Sequence, residues 1–171
     1  TVVGIGVGAP FGLVTDYGDS WQGRYHAIRS DLLTVNINPS IAFKATEKLS
    51  LGFGINLQYI DLELSQAANF GAFTGAPQQN DGRVRLTADD WSWGYNLGMT
   101  YQFTEATRMG LSYRSKITHD LTGDGEFRIP QNVSDPVAAN FPDGNIAGRV
   151  TLPESASIAL IHQLNSQWSV M

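Results

Sequence analysis

Thirteen consecutive residues, WSWGYNLGMTYQF from Trp91 to Phe103, constrain the fold more than any other feature of the chain. Every odd position is large and apolar: Trp91, Trp93, Tyr95, Leu97, Met99, Tyr101 and Phe103. Every even position is small or polar, from Ser92 and Gly94 to Gln102. Strict alternation gives a strand with one greasy face and one polar face. A soluble strand typically runs to about five or six residues, whereas a tilted strand crossing a bilayer takes about 9–11. Aromatics stand at both ends of this stretch, with Leu97 and Met99 between them. An aliphatic band flanked by aromatic girdles is what a barrel strand presents to lipid. The alternative is a long sandwich strand with an aromatic core face.

The totals narrow the choice. With 171 residues the chain is long enough for one domain, and it has no cysteine, which leaves no disulfide scaffold, thiolate metal site or thiol nucleophile. A net charge of −5 gives no electrostatic footprint for nucleic acid. No run of about eighteen apolar residues exists to form a transmembrane helix. That says nothing against a barrel, whose strands alternate and so have near-neutral hydropathy. No signal peptide is visible. The chain opens inside one strand pattern and ends as another begins, so it reads as a piece of something longer.

Strands are expected near residues 2–9, 34–44, 49–64, 91–103, 108–118 and 148–162, with another starting at 167. The GxGxG run at Gly4, Gly6 and Gly8 is followed by Ala9-Pro10-Phe11-Gly12 instead of a helix, so it is read as a crowded strand and not a phosphate loop. Trp21, Tyr25, Ile28 and Leu32 fall at helical spacing behind Ser20, which predicts a short amphipathic helix. Pro39 cannot donate a ladder hydrogen bond, which argues for a bulge in strand 34–44 or against a central position for it. At Tyr59-Ile60 the apolar parity slips, which implies a bulge or an exit from the membrane.

Tight turns recur near residues 46, 105 and 165, each between two strands. Long irregular connections, 10–33, 65–90 and 119–147, separate these hairpins. Short turns at one end and long loops at the other are the pattern of bacterial outer-membrane barrels, with periplasmic turns and extracellular loops. The fold class expected is therefore all-β, an antiparallel transmembrane β-barrel in one partial domain over residues 1–171.

Candidate ligand-binding residues follow from what is out of place in such a barrel. Phe11, Trp21, Tyr25, Phe70 and Phe73 put apolar surface into connections that should be wet. They are read as a greasy entry groove for a hydrophobic solute or as a lid packed on itself. Arg114 and Lys116, on the inward face of strand 108–118, are read as cations for an anionic group or as ordinary lumen charges paired with neighbours. His26, His119 and His162 lack metal-ligand spacing, and Asp120, Asp124 and Glu126 lack the full pattern of a calcium loop. No nucleophile–base–acid set is legible, so neither an enzyme nor a cofactor is expected.

Four segments together resemble the FadL/TodX type of long-chain fatty acid outer-membrane transporter: GVGAPFGLVTDYGDSWQGRYHAIRSDLLTVNINPSIAFK, KLSLGFGINLQYIDLEL, DDWSWGYNLGMTYQFTEATRMGLSYRSKITHDLTGD and VTLPESASIAL. The resemblance runs over nearly the whole chain in order, and the WGYNLG…YQF…TR…SYRS block and the later LPE are its specific parts. It implies a fourteen-stranded barrel plugged by an N-terminal hatch, of which this chain supplies about six to seven strands. The hatch and the C-terminal strands lie outside it. It also implies passive uptake of long-chain fatty acids or hydrophobic aromatics, through a groove between loops that resemble 10–33 and 65–90 here. The partners implied are a hydrophobic small molecule together with outer-membrane lipid and lipopolysaccharide, with the full-length barrel monomeric. A structural or adhesive barrel is the alternative, and the loop aromatics count against it.

Overall fold

The alternation of residues 91–103 is the middle of a longer strand. In a computed structural model, which describes residues 1–170, β4 (Leu49–Asn69) and β5 (Asp81–Thr104) pair antiparallel without interruption, from Leu49↔Tyr101 to Asn69↔Asp81. β3 (Arg29–Lys44) flanks β4 on its other edge. β1 (Val2–Gly8) and β2 (Gly12–Asp16) both lie on β3. Beyond β5, the chain from β6 (Thr107–Arg114) through β7 (Ile117–Arg128) returns along its length. β8 (Gly144–Leu152) then pairs with β7, β9 (Ser155–Gln163) with β6, and β10 (Ser169–Val170) with β9. The ten strands, where the sequence reading expects about seven, form one antiparallel sheet, and the all-β antiparallel class is the one expected.

One face of the sheet is the apolar band. Trp93 is 68% exposed and Leu97 46%, alongside exposed Phe53, Ile55, Leu57, Leu111 and Ile158. Tyr59 and Trp91 touch at 5.3 Å at one rim of this band, and Tyr101 meets Phe103 edge-on at 4.9 Å at the other. The opposite face carries Asn36, Asn56 and Gln58, all buried.

Above the band the two faces exchange character. From Ile60 onward the inner face becomes apolar: Ile60, Ala88 and Leu121 form a buried core with Leu32, Leu62, Ile146 and Val150 against it. The outer face becomes polar, with Asp61 and Glu63 replacing Leu57 and Tyr59. The register of β4 with both neighbours is continuous through this point, so the parity slip marks an exit from the apolar band and no bulge. The strands therefore run further than the alternation alone predicts: β3 starts at residue 29, β4 ends at 69, β5 starts at 81 and β7 ends at 128. The long connections shrink to residues 17–28, 70–80 and 129–143.

Three other expectations change. Residues 20–28 form turns and no helix, and the segment from Arg29 is strand. Ladder-like bonds decide this: Ile28 N–H donates to Ser65 O at 2.7 Å and Ala67 N–H to Arg24 O at 2.8 Å, continuing the β3–β4 pairing. Pro39 sits in a central strand with the same register on both sides, Ile37↔Leu57 and Ser40↔Gly54. That register sets Pro39 opposite Ile55, whose carbonyl takes a 2.9 Å hydrogen bond from Asn38 Nδ2. A neighbouring side chain thus supplies the donor that proline lacks.

The third change lies in the first connection, where Ala9–Phe11 interrupts the edge strand. Register with β3 shifts by one residue there, from Gly8↔Asn36 to Gly12↔Leu33. The Thr34 hydroxyl fills the gap, accepting from Phe11 N–H at 3.0 Å and donating to Phe11 O at 2.6 Å.

Candidate functional site

At the end of the sheet with the long connections, two of those connections meet over the inner face. Phe70 caps β4 and leads into a one-turn helix, α1 (Gly71–Thr74). Its ring is 1% exposed and lies on Gly82 of β5, where a Cβ would stand 2.6 Å from the ring and 2.4 Å from Arg128 O. Glycine is what lets the ring reach the backbone. Phe141, which follows the second short helix α2 (Asp135–Ala138), meets Phe70 edge-on at 5.1 Å. Phe141 also contacts Phe73 at 6.2 Å and Phe127 of β7 at 5.8 Å. Phe73 is 59% exposed. Four phenylalanines thus form an apolar cluster with a buried floor, Phe70, and an open rim, Phe73.

The connection 17–28 is held differently. Trp21 stacks on Tyr17 at 4.5 Å and donates Nε1–H to Ala27 O at 2.7 Å. Tyr25 OH donates to Asp81 Oδ1 at 2.7 Å, and Arg24 Nε donates to Asp81 Oδ2 at 2.7 Å. The Arg24 guanidinium also lies 4.6 Å from the Tyr25 ring centre. The bond to Asp81 holds the Arg24 guanidinium in its charged form, and burial, with Asp81 beside it, pushes the Tyr25 phenol up. Arg24 and Tyr25 therefore pin this connection to the start of β5, and Trp21 folds it on itself; the phenylalanine cluster forms without them. Phe11 is separate again, half-buried at the β1–β2 interruption.

Below the apolar core, the inner face carries a belt of amides. Asn36 Nδ2 donates to Asn56 Oδ1 at 3.0 Å, and Asn38 Nδ2 to Asn96 Oδ1 at 2.7 Å. Their network occupies the space over Gly54, where a Cβ would stand 2.7 Å from Asn96 Oδ1. Buried His119 continues the belt, with Nδ1 3.0 Å from Asp90 Oδ2 and Nε2 3.2 Å from Gln58 Oε1.

Arg114 stands on this inner face, opposite Asn96 and Ser155. Lys116 does not, contrary to the sequence expectation. Between Arg114 and Ile117 the pairing with β5 shifts by one residue, and Ile117, His119 and Leu121 take the inner face while Lys116 is exposed. Pro153 opposite this gap has no N–H to bridge it, and Ser115 closes it instead, with backbone and hydroxyl bonds to Tyr95 at 2.9 Å each.

Sequence reasoning reached Phe70 and Phe73 but missed Phe127 and Phe141. The criterion that found the first pair, an apolar ring in a polar connection, applies equally to Phe141. Nothing in the sequence marks Phe127, whose place depends on β7 extending to Arg128.

The chain matches known proteins along its whole length. A family model described as outer membrane protein transport protein (OMPP1/FadL/TodX) matches residues 1–171. Outer membrane protein P1 of Haemophilus influenzae is 29% identical over 98% of this chain and 40% of its own length. A long-chain fatty acid transport protein of Escherichia coli is 25% identical over 98% of this chain and 43% of its own. The crystal structure of a Pseudomonas aeruginosa FadL homologue superposes with a TM-score of 0.88 at 21% identity, covering 98% of this chain and 43% of that one. The chain spans less than half the length of these relatives.

Proposed function

The chain belongs to the OMPP1/FadL/TodX family of outer membrane transport proteins, and from that premise we propose that the full-length protein takes up long-chain fatty acids or similar hydrophobic compounds across the outer membrane. The observation that carries the reading is the Phe70, Phe73, Phe127 and Phe141 cluster. It is an apolar patch at the loop end of a sheet whose outer band is already committed to lipid. Phe73, 59% exposed, gives that patch an apolar rim which a hydrophobic solute would meet first. Arg114 on the inner wall supplies a cation for a carboxylate once the solute has entered. Phe11, Trp21 and Tyr25 shape the neighbouring connection and the wall. Such uptake needs apolar surface and a path, with no bond chemistry, no cofactor and one barrel per channel.

The test is a titration of the full-length protein, refolded in detergent, with a fluorescent long-chain fatty acid, repeated with Phe73→Ser and Phe141→Ser together. Burying one phenylalanine side chain is worth roughly 1.5–3 kcal/mol, so partial loss of two contacts weakens binding about tenfold or more. Saturable binding that is unchanged in the variant removes the cluster from the path. Absence of saturable binding to a folded barrel favours the structural or adhesive alternative.

A further inference from the structure

We propose that the outer face above the apolar band carries a phosphate-binding arginine patch, Arg29, Arg83, Arg85 and Arg128, that holds the phosphorylated sugar headgroup of an outer-leaflet glycolipid. The proposal rests on the outer-membrane orientation adopted above, with the long connections outside, and not on the solute carried.

Register places the four side chains on one face. The β4–β5 ladder is unbroken from Tyr101 to Asp81, so Arg83 and Arg85 point the same way as Trp91 and Trp93. Arg29 stands opposite Ser65, which stands opposite Arg85. Arg128 stands directly opposite Arg83. A cross-strand pair of like charges is destabilising. Among the described residues, Arg83 pairs with Asp19 and Arg128 has no carboxylate at ion-pair distance, so nothing of opposite charge bridges the two.

Carboxylates share the patch, Asp19 on Arg83 and Glu126 opposite Arg85 among them. Arg29 bonds Asp16 and Asp31, and Arg85 bonds Glu63 at 2.8 Å. The Nε groups of Arg29 and Arg85 are buried and make no hydrogen bond, that of Arg29 lying 3.7 Å from Glu63 Oε1. A cavity of about 240 Å³ opens between Arg29, Arg83, Arg85 and Arg128, with Glu63 and Asp16 on its wall. The carboxylates hold Arg29 and Arg85 in place, and exposed Arg128, with no carboxylate at ion-pair distance, is the free fork at the cavity. Planar forks suit phosphate oxygens.

Height selects the ligand. Arg85 lies six residues before Trp91, roughly 20 Å along the strand and about 15 Å along the membrane normal at a tilt near 40°. A phospholipid headgroup layer adds only about 5–8 Å on each side of the hydrocarbon. A glycolipid whose phosphorylated sugars stand above its acyl chains reaches the patch.

The experiment uses full-length protein refolded in detergent and purified rough-type lipopolysaccharide with a phosphorylated inner core as the probe. Arg83→Gln with Arg128→Gln is expected to weaken binding about tenfold, and Arg128→Gln alone, an exposed change that leaves the fold intact, several-fold. Arg108→Gln, at the opposite end of the sheet, is expected to leave it unchanged. Equal binding by wild type and the double variant overturns the proposal. Equal affinity for phosphatidylglycerol vesicles, or competition by inorganic phosphate at the concentration of the glycolipid phosphates, overturns the assignment to a glycolipid. Fatty-acid titration of the same samples separates the two readings, because the arginine variants keep that binding if both stand.

Discussion

Leu97→Lys separates a lipid-facing band from a water-facing one. Leu97 is 46% exposed and stands midway along the band, six residues from Trp91 and six from Phe103. Twelve steps of about 3.3 Å give a band of roughly 40 Å along the strand, or about 30 Å along the normal at a tilt near 40°, which matches a hydrocarbon core. Leu97 is then at the midplane, where a lysine on the lipid face costs about 2–4 kcal/mol, a factor of roughly 30 to 900 in the folding equilibrium. Near the rim, Phe103→Lys loses its charge penalty down to about 0–1 kcal/mol, on top of the lost ring contact with Tyr101. Ser112→Lys, directed to the inner face opposite Gly98, stays within about 0.5 kcal/mol. The assay is urea titration of the full-length barrel in phospholipid vesicles, followed by tryptophan fluorescence and heat-modifiable gel mobility. A Leu97→Lys protein within about 0.5 kcal/mol of wild type refutes the lipid-facing assignment, because that is the cost of an ordinary exposed substitution in water.

Four further outcomes follow from particular contacts and are read by the same titration. Gly54→Ala drives a Cβ into Asn96 Oδ1 and Asn38 Nδ2 and is expected to cost about 1–3 kcal/mol, whereas Gly98→Ala, with open space around it, costs under about 0.5. His119→Ala removes the ring that Gln58 and Asp90 share and leaves buried Gln58 without its partner, at about 1–3 kcal/mol. Asn38→Ala orphans the Ile55 carbonyl at a similar cost of about 1–3 kcal/mol, and less so in a Pro39→Ala background, where a backbone N–H returns; equal costs in both backgrounds refute the substitution of side chain for ladder. The Arg85 hydrogen bond holds the Glu63 carboxyl below its ordinary value of 4.5, so its stabilising contribution is complete above about pH 4.5 and is lost as the pH falls below it; Glu63→Gln is expected to flatten that acid limb, and an unchanged limb refutes the pairing.

Legibility in the sequence follows the solvent. Where a strand has lipid on one side and polar side chains on the other, the alternation is long and strict, and the middles of β3, β4, β5 and β6 are readable from it. Where the same strands rise out of the band, both sides contain mixed residues, and the pattern reads as a slip at Tyr59-Ile60 or as a loop, as in 65–90. The helical spacing of Trp21, Tyr25, Ile28 and Leu32 is real but is overruled by pairing partners distant in sequence, Ser65 above all. Local propensity gives way to tertiary pairing. Side-chain direction beyond Arg114 was equally out of reach, since one extra residue at the Ser115–Lys116 gap reverses every side chain after it. The phenylalanine cluster was half legible for the same reason: Phe70 and Phe73 announce themselves by composition, but their meeting with Phe127 and Phe141 depends on register.

The inversion of faces also works as a depth gauge. Tyr59 stands opposite Trp91 and Asp61 opposite Asp89, so the outer surface turns from aromatic to acidic at one level in both strands. On β3 the change comes one residue pair higher, between Leu33, opposite Asp61, and Asp31, opposite Glu63. On β7 the outer face is already polar lower down, at Asp120, and stays so at Thr122, which faces Asp89. β4 and β5 thus change solvent at one level, with β3 one residue pair above it and β7 already polar below it. A soluble sandwich has no cause to align such a boundary, because its edge is set strand by strand. A bilayer imposes one plane on all of them, and the inner face answers it: once the outside is wet, the hydrophobic core has to move inside, to Ile60, Ala88 and Leu121. The apolar interior of the upper sheet is therefore a consequence of height above the membrane. It gives the phenylalanine cluster, which the connections 70–80 and 129–143 carry together with Phe127 of β7, a packed sheet to lie on.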